Sequence, residues 1–239
     1  MGIIIGNTEI NELFIDNTEI NSVYLGDAKI YPTYVLYDYL LSTMDATNNG
    51  IILDWHITDN TKIELCFCTI GYKSTVNGGR RVLTTTKRTK PAYVEIGNGT
   101  WEDADENYRV HAWIDVGTKS MSSQRNFTGT IANKTKHIAI IDFKNKTAQY
   151  PTINSSVLTH DFVANSDTTD AIMLIGYNDG TANNAHAIYY LKVWENDVLV
   201  REYLPAKNKD GISGLADIKT NKFYTTTAGN EGKIEAKNF

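Results

Sequence analysis

The sequence predicts an all-β protein: an antiparallel two-sheet jelly-roll sandwich preceded by a small N-terminal β-repeat segment. Composition is the first observation, because 28 Thr and 14 Tyr favour strands while 23 Asn and 17 Gly favour tight turns. A ten-residue repeat at the start of the chain is the second. The third is a series of short strand-like runs from Tyr34 onward, without capped helical periodicity. The 239 residues suffice for one sandwich and a small appendage.

The opening repeat predicts short strands joined by two-residue turns. Asn7-Thr8-Glu9-Ile10-Asn11 recurs unchanged as Asn17-Thr18-Glu19-Ile20-Asn21, and loosely as Asp27-Ala28-Lys29-Ile30-Tyr31. An apolar triplet precedes each copy. Each apolar triplet is followed by a pair of residues that tolerate positive φ and can form a turn: Gly6-Asn7, Asp16-Asn17 and Gly26-Asp27.

This repeat cannot enclose a core of its own, because about thirty residues need disulfides, a metal or a partner to do so. It either adds strands to the following domain or completes its core with other copies or another protein. We favour the second interpretation, because the pattern breaks at Pro32-Thr33. We therefore assign residues 1–33 to anchoring and oligomerisation and residues 34–239 to the sandwich. The docking residues predicted are Ile3, Ile5, Ile10, Leu13, Ile15, Ile20, Val23 and Leu25.

The strands of the sandwich are read from apolar runs bounded by turn residues. Residues 62–70 alternate well enough for a strand with one buried face, and Glu195-Asn196-Asp197 is a hairpin turn by residue type. Two short strands around Leu215 and Phe223 flank the turn Thr220-Asn221. The longer predicted strands cover 51–57, 62–70, 81–86, 92–96, 109–116, 137–143, 171–176, 186–194 and 198–204.

Charge and cysteine content exclude several classes of protein. The formal net charge of −5 argues against a nucleic-acid partner, and no run reaches the roughly 18 apolar residues of a membrane span. The N-terminus lacks a secretory pattern. Cys66 and Cys68 would lie on one strand face with Cα atoms about 6.6 Å apart, near the disulfide limit. We expect free buried thiols and folding in a reducing cytosol.

The C-terminal region resembles a known family. Residues 190–211, with Arg201 and Pro205, resemble the C-terminal hairpin of laminin G-like, concanavalin-type jelly rolls, and Asp217 and Phe223-Tyr224 continue that pattern. The resemblance covers roughly residues 35–239 and is specific mainly over the last fifty. Such domains are common in phage structural proteins and in surface proteins of gut bacteria.

The N-terminal repeat resembles the start of virion proteins of tailed phages, including crAss-like phages. That resemblance implies a short head fibre or capsid decoration, because the chain has no extended shaft between repeat and sandwich. It implies a capsid or other virion protein as docking partner, self-association as a homotrimer, and assembly in the cytoplasm of the host bacterium.

No motif predicts catalysis, a cofactor or a metal. The histidines His56, His111, His137, His160 and His186 are scattered, and no Glu-x-Asp-x-x-Glu glucanase motif is present. The acidic run 102–106 is read as a solvated loop, with a calcium site as the alternative. We expect a protein that is not an enzyme; a glycoside hydrolase with an unusual carboxylate pair is a further hypothesis.

Glycan binding is the alternative role of two predicted loops. Sugar sites combine an exposed aromatic ring with nearby amide or carboxylate groups. Trp101 follows a Gly- and Asn-rich stretch, and Tyr177, Asn178 and Asp179 form a turn-like sequence. Host-surface glycan is thus a candidate partner, and a bacterial carbohydrate-binding module or adhesin is the rival to the phage protein. The other tryptophans, Trp55, Trp113 and Trp194, are predicted to lie in the core.

Overall fold

The computed structural model is all-β, with no helix in the residues it describes. These are 3–5, 8–10, 14–15, 18–19, 23–25, 28–31, 34–42, 50–69, 80–86, 94–102, 108–116, 127–130, 136–152, 157–159, 164, 169–175, 186–226 and 234–239. Over these ranges no helix is long and apolar enough to cross a membrane.

The described strands number 23. In chain order they are β1 (Ile3–Ile5), β2 (Thr8–Ile10), β3 (Phe14–Ile15), β4 (Thr18–Glu19), β5 (Val23–Leu25), β6 (Ala28–Tyr31), β7 (Tyr34–Leu36), β8 (Tyr39–Ser42), β9 (Ile51–His56), β10 (Thr61–Thr69), β11 (Arg80–Thr85), β12 (Val94–Glu102), β13 (Tyr108–Val116), β14 (Phe127–Thr130), β15 (His137–Asp142), β16 (Thr147–Gln149), β17 (Val157–Thr159), β18 (Ala171–Leu174), β19 (His186–Glu195), β20 (Val198–Asn208), β21 (Ser213–Asp217), β22 (Lys222–Tyr224) and β23 (Ile234–Lys237).

These strands form three two-stranded hairpins and two large antiparallel sheets. The hairpins are β1–β2, β3–β4 and β5–β6. The larger sheet has eleven strands, in the order β17-β16-β15-β10-β19-β20-β21-β22, with β7 on β20 and with β8 between β19 and β23. The smaller sheet has six, in the order β14-β13-β12-β11-β18-β9.

One hydrophobic core lies between the two large sheets. On β9, Ile51 and Leu53 are buried while Ile52 and Asp54 are exposed, the alternation of a strand with one covered face. The core includes leucine and isoleucine side chains of both sheets, so the prediction of a two-sheet antiparallel sandwich is confirmed. Among its fully buried members are Leu65, Phe67 and Leu191 of the larger sheet and Leu83, Ile96 and Leu174 of the smaller.

Two predicted turns are found where the sequence places them. Asn196 and Asp197 have φ of 51° and 67°, so both central residues of the β19–β20 hairpin are left-handed, as in a type I′ turn. Asn221, between β21 and β22, has φ of 55°. Asn and Asp accept this conformation at low cost, which explains their use here.

The prediction that residues 97–101 form a loop is wrong. Strand β12 continues through Trp101 to Glu102 and pairs with β13 over nine residues. Gly97, Asn98 and Gly99 are weak strand formers, so the strand depends on the neighbouring β13 rather than on local propensity. The sequence pattern also missed β7, β8 and β23, which are short and pair across large separations in the chain.

A buried ion pair joins β20 to β21. The Asp217 carboxylate is fully buried; its Oδ1 accepts the backbone N–H groups of Glu202 and Lys219 at 3.1 and 3.0 Å. Its Oδ2 accepts the Thr220 hydroxyl at 2.6 Å and lies 3.2 Å from Arg201 Nε. These donors replace the water that the carboxylate loses on folding.

Arg201 also connects the two sheets. Its guanidinium lies 5.0 Å from the Trp55 ring of β9, and its Nε lies 4.0 Å from Asp54 Oδ1. Lys222 Nζ reaches Asp54 Oδ2 at 2.8 Å. Burial opposes the charge on Asp54, but the contacts with Lys222, Tyr224 and Arg201 outweigh it, so the pKa of Asp54 is lowered. The residues that carry the family resemblance thus form the contact between the sheets.

We expect Asp217→Asn to lower the free energy of unfolding by about 3 kcal/mol, because it leaves Arg201 without its buried counter-charge. Urea denaturation measures the loss. Asp210→Asn is the control, since the Asp210 carboxylate is 56% exposed and pairs only with Lys209; it should cost less than about 0.5 kcal/mol. Equal losses in the two variants would contradict the structural role of Asp217.

His137 makes the sandwich sensitive to acid. It is 2% exposed, neither ring nitrogen has a partner among the described residues, and burial lowers its pKa to about 4. Between pH 6.5 and 4 the unfolded chain binds a proton that the folded chain does not, so stability falls as the pH falls. We expect a loss of about 3 kcal/mol at this residue by pH 4, absent in His137→Leu. Denaturant titrations from pH 7 to 4 test this, and parallel curves for the two proteins would contradict it.

Candidate functional site

The first hairpin has two faces that differ in composition. Ile3 pairs with Ile10 and Ile5 with Thr8, while Ile4 pairs with Glu9. Because paired residues share a face and successive residues alternate, Ile3, Ile5 and Ile10 occupy one face of the ribbon. Ile4 and Glu9 occupy the other. Three of the predicted docking residues therefore share a face.

The second hairpin repeats this register ten residues further along, and the third hairpin follows at the same spacing with a register shift between Val23 and Tyr24. Ile15 pairs with Thr18 and Phe14 with Glu19, the register of the first hairpin. In the third hairpin Val23 and Leu25 are two residues apart on β5, which pairs with β6. One hairpin per repeat is the result. Some of the predicted features lie outside the described residues: Leu13, Ile20 and the turns Gly6-Asn7, Asp16-Asn17 and Gly26-Asp27.

The hairpin segment continues directly into the larger sheet. Strand β6 ends at Tyr31 and β7 begins at Tyr34; Pro32 and Thr33 lie outside the described residues. Strand β7 pairs with 206–208 of β20, and β8 pairs with β19 at Ala187 and Ile188. In this region β19 and β20 no longer pair with each other; β19 pairs with β8 and β20 pairs with β7 instead. We call this region the fork. The hairpin segment is thus covalently attached at a strand held inside a sheet.

Of the predicted glycan-binding loops, the structure describes only Trp101. Trp101 lies in β12 opposite Arg109 rather than in a loop. Tyr177, Asn178 and Asp179 lie outside the described residues. Glu102 is the last residue of β12, and the rest of the acidic run lies outside them too.

Trp194 corrects the prediction of a core tryptophan. Its neighbour Val193 is in the core, whereas Trp194 lies opposite Lys62 on the outer face of the larger sheet, and Lys62 Nζ is 4.9 Å from its ring centroid. Trp55 does pack against the core. Trp113 lies on β13, where side chains are outside the description.

The outer face carries an aromatic cluster near the fork. Ring centroids of Tyr39 and Phe239 are 5.4 Å apart, and Tyr189 lies 6.2 Å from each. Lys136 Nζ lies 4.1 Å from the Tyr189 centroid and 5.0 Å from that of Phe239. We call Tyr39, Tyr189, Phe239 and Lys136 the outer platform.

A bulge explains why sequence reasoning missed the outer platform. The register of β10 with β19 shifts between Cys66 and Phe67, which leaves Tyr189 without an opposite residue. Ile188 and Leu191 are therefore both core residues although they are three positions apart. The bulge breaks the period-two pattern on which strand faces are predicted. Phe239 is nearly fifty residues away in the chain and gives no local signal.

Hydrogen bonds fix the ends of the platform. Asp38 Oδ2 accepts the backbone N–H of Phe239 at 3.0 Å, and the Asp38 N–H donates to Asn238 Oδ1 at 3.3 Å. Strand β8 pairs with β23 from Tyr39↔Lys237 to Ser42↔Ile234. Tyr39 thus lies on a paired strand, and the backbone of Phe239, beyond the end of β23, is held by Asp38. Burial, helped by nearby Cys68 and Cys66, raises the pKa of Tyr189 to about 12.

The two thiols lie on the same face of β10, beside the outer platform. Cys66 and Cys68 are buried and are not joined in a disulfide, as predicted. Burial raises the pKa of Cys66 to about 11, which leaves the thiol protonated near neutral pH. Cys66 lies opposite Tyr190, whose hydroxyl donates to Glu64 Oε1 at 2.8 Å. The Cys66 thiol is therefore not poised as a nucleophile.

The outer platform has the chemistry of a binding surface. It combines exposed aromatic area with a cation, and these groups recognise ligands without forming covalent bonds. Within the described residues, His, Cys, Asp and Glu side chains form no group of three that could hold a metal ion.

Comparison with known proteins adds no assignment. No protein-family model matches the chain, and no curated protein matches it in sequence. The hairpin segment and the outer platform are therefore interpreted from their own residues.

Proposed function

We propose that this chain is a non-enzymatic structural protein of a tailed-phage virion, a short head fibre or capsid decoration. Residues 1–33 attach it to the particle, and residues 34–239 form a laminin G-like, concanavalin-type jelly roll displayed outward. The observation that carries the proposal is the presence of one short hairpin per ten-residue repeat, joined directly to a large sandwich. The sequence resemblances to phage proteins support the same interpretation.

The physical argument concerns what such hairpins need. The strands of the three hairpins are two to four residues long, and an isolated two-stranded hairpin is marginally stable at best in water. The first and third hairpins also place apolar residues at same-face positions, and the second has Ile15 at the position that corresponds to Ile5. Burial of these residues against other copies or a capsid protein stabilises the segment. In a homotrimer, three copies of the segment share one core.

The core of the sandwich is complete within one chain, which suits a domain displayed on a particle. Its core is enclosed between two sheets of the same chain, so the sandwich needs no particle to fold. Such a domain, made in the host cytoplasm and mounted on a virion, presents its surface to the host. Adhesion to host or mucosal glycans is the role we assign to that surface.

A bacterial carbohydrate-binding module or adhesin is the second candidate. The outer platform favours it, because exposed aromatic rings beside a cation suit sugar recognition without any particle. The candidates differ in the role of residues 1–33: the phage protein needs them for assembly, whereas a free-standing module does not.

The test compares the two faces of the hairpins with one substitution in each repeat. We expect Ile5→Thr/Ile15→Thr/Leu25→Thr to convert a trimer to a monomer and to abolish incorporation into particles, because it removes apolar area from the docking face. Light-scattering mass after size exclusion measures the first effect, and protein content of purified virions the second.

The matched control is Ile4→Thr/Phe14→Thr/Tyr24→Thr, which changes the adjacent residues on the opposite face. It should remain trimeric and incorporate normally. If neither triple variant differed from the unmodified chain in mass or incorporation, the anchoring role of residues 1–33 would be wrong.

A further inference from the structure

We propose that the outer platform binds a carboxylate-bearing sugar, such as a hexuronate or sialate residue of a glycan. This deepens the adhesive role proposed above and rests on it for its biological meaning. The binding itself is a property of the sandwich and is testable without a particle.

The aromatic part of the platform suits the apolar face of a sugar ring. Phe239 is 83% exposed, and Tyr39 and Tyr189 are half-buried. Three aromatic rings with centroids within 6.2 Å of one another form a continuous apolar surface. Outward positions of a solvated sheet are ordinarily polar, so an exposed aromatic cluster marks an interaction site. Sugars present C–H groups that pack on such rings while their hydroxyls remain in water.

Lys136 selects the charge of the ligand. Two other lysines of this face have carboxylate partners: Lys192 pairs with Glu202 at 3.3 Å, and Lys237 pairs with Glu235 at 2.9 Å. Among the described residues, no carboxylate forms an ion pair with Lys136, which is held over the rings instead. A carboxylate on the ligand supplies the missing counter-charge and forms a charge-assisted hydrogen bond.

Asp38, next to Tyr39 in the chain, already has hydrogen-bond partners of its own. Its carboxylate accepts the Phe239 N–H, and its own N–H donates to Asn238. These contacts hold the backbone of Phe239 beside Tyr39 before any ligand arrives. Preorganisation of this kind reduces the entropy lost on binding.

The experiment titrates the full-length protein with 3′-sialyllactose and with trigalacturonate, using lactose as the neutral match for the first. Nitrogen-15 NMR shifts locate the site and give the dissociation constants. We expect both acidic sugars to bind at least about tenfold more tightly than lactose, with shifts centred on Tyr39, Tyr189 and Phe239.

Variants separate the roles of charge and ring. Lys136→Met should reduce the affinity for acidic sugars about tenfold and leave that for lactose unchanged. Phe239→Ala should weaken all three sugars. Lys144→Met is the control for net charge, because Lys144 is a surface lysine paired with Asp197; it should bind like the unmodified chain.

Three results would overturn the proposal: equal affinity for acidic and neutral sugars, shifts located elsewhere, or concentration-dependent shifts of the platform without sugar. The last would identify a second copy of the chain as the occupant. The Ile5→Thr/Ile15→Thr/Leu25→Thr variant should retain sugar binding. Failure of anchoring and failure of glycan binding are therefore distinguishable.

Discussion

The sandwich depends on the burial of one charged pair, Arg201 with Asp217. A carboxylate taken out of water costs several kcal/mol unless donors replace its hydration. Here β20, the turn after β21 and a threonine hydroxyl supply those donors, so satisfying Asp217 fixes these elements relative to one another. Arg201, once positioned, lies against Trp55 and near Asp54 on the opposite sheet. A single electrostatic requirement thus sets both the local hairpin geometry and the contact between the two sheets.

The fork follows from that hairpin. Strands β19 and β20 pair with each other from their turn as far as Leu191↔Tyr203. Beyond that point β19 pairs with β8, and β20 pairs with β7. Strand β8 in turn recruits β23, which brings Phe239 beside Tyr39. The hairpin segment enters at the same place, through β7. Attachment of the proposed anchor and assembly of the outer platform therefore rest on the same set of backbone hydrogen bonds.

Local sequence signals predicted the features that local physics determines. The Asn196-Asp197 turn, the ten-residue period of the hairpins and the alternation of β10 were all readable, because each depends on φ preference or on strand periodicity. Trp101 was misplaced because pairing with β13 extends a weak strand. The outer platform was missed for two reasons: a bulge at Tyr189 shifts the register, and Phe239 reaches it only through long-range pairing.

The two parts of the chain solve the burial problem differently. The sandwich encloses its core between its own two sheets, whereas the hairpin strands are only two to four residues long and too short to be stable alone. In the first and third hairpins, isoleucine, leucine or valine positions share a face. Selection against exposed apolar surface would remove such a repeat unless burial elsewhere compensated for it. Three copies at a constant spacing therefore support the proposal that the segment is buried against a partner. Under that proposal, burial of the hairpins couples their stability to assembly, whereas the core of the sandwich is enclosed by its own two sheets.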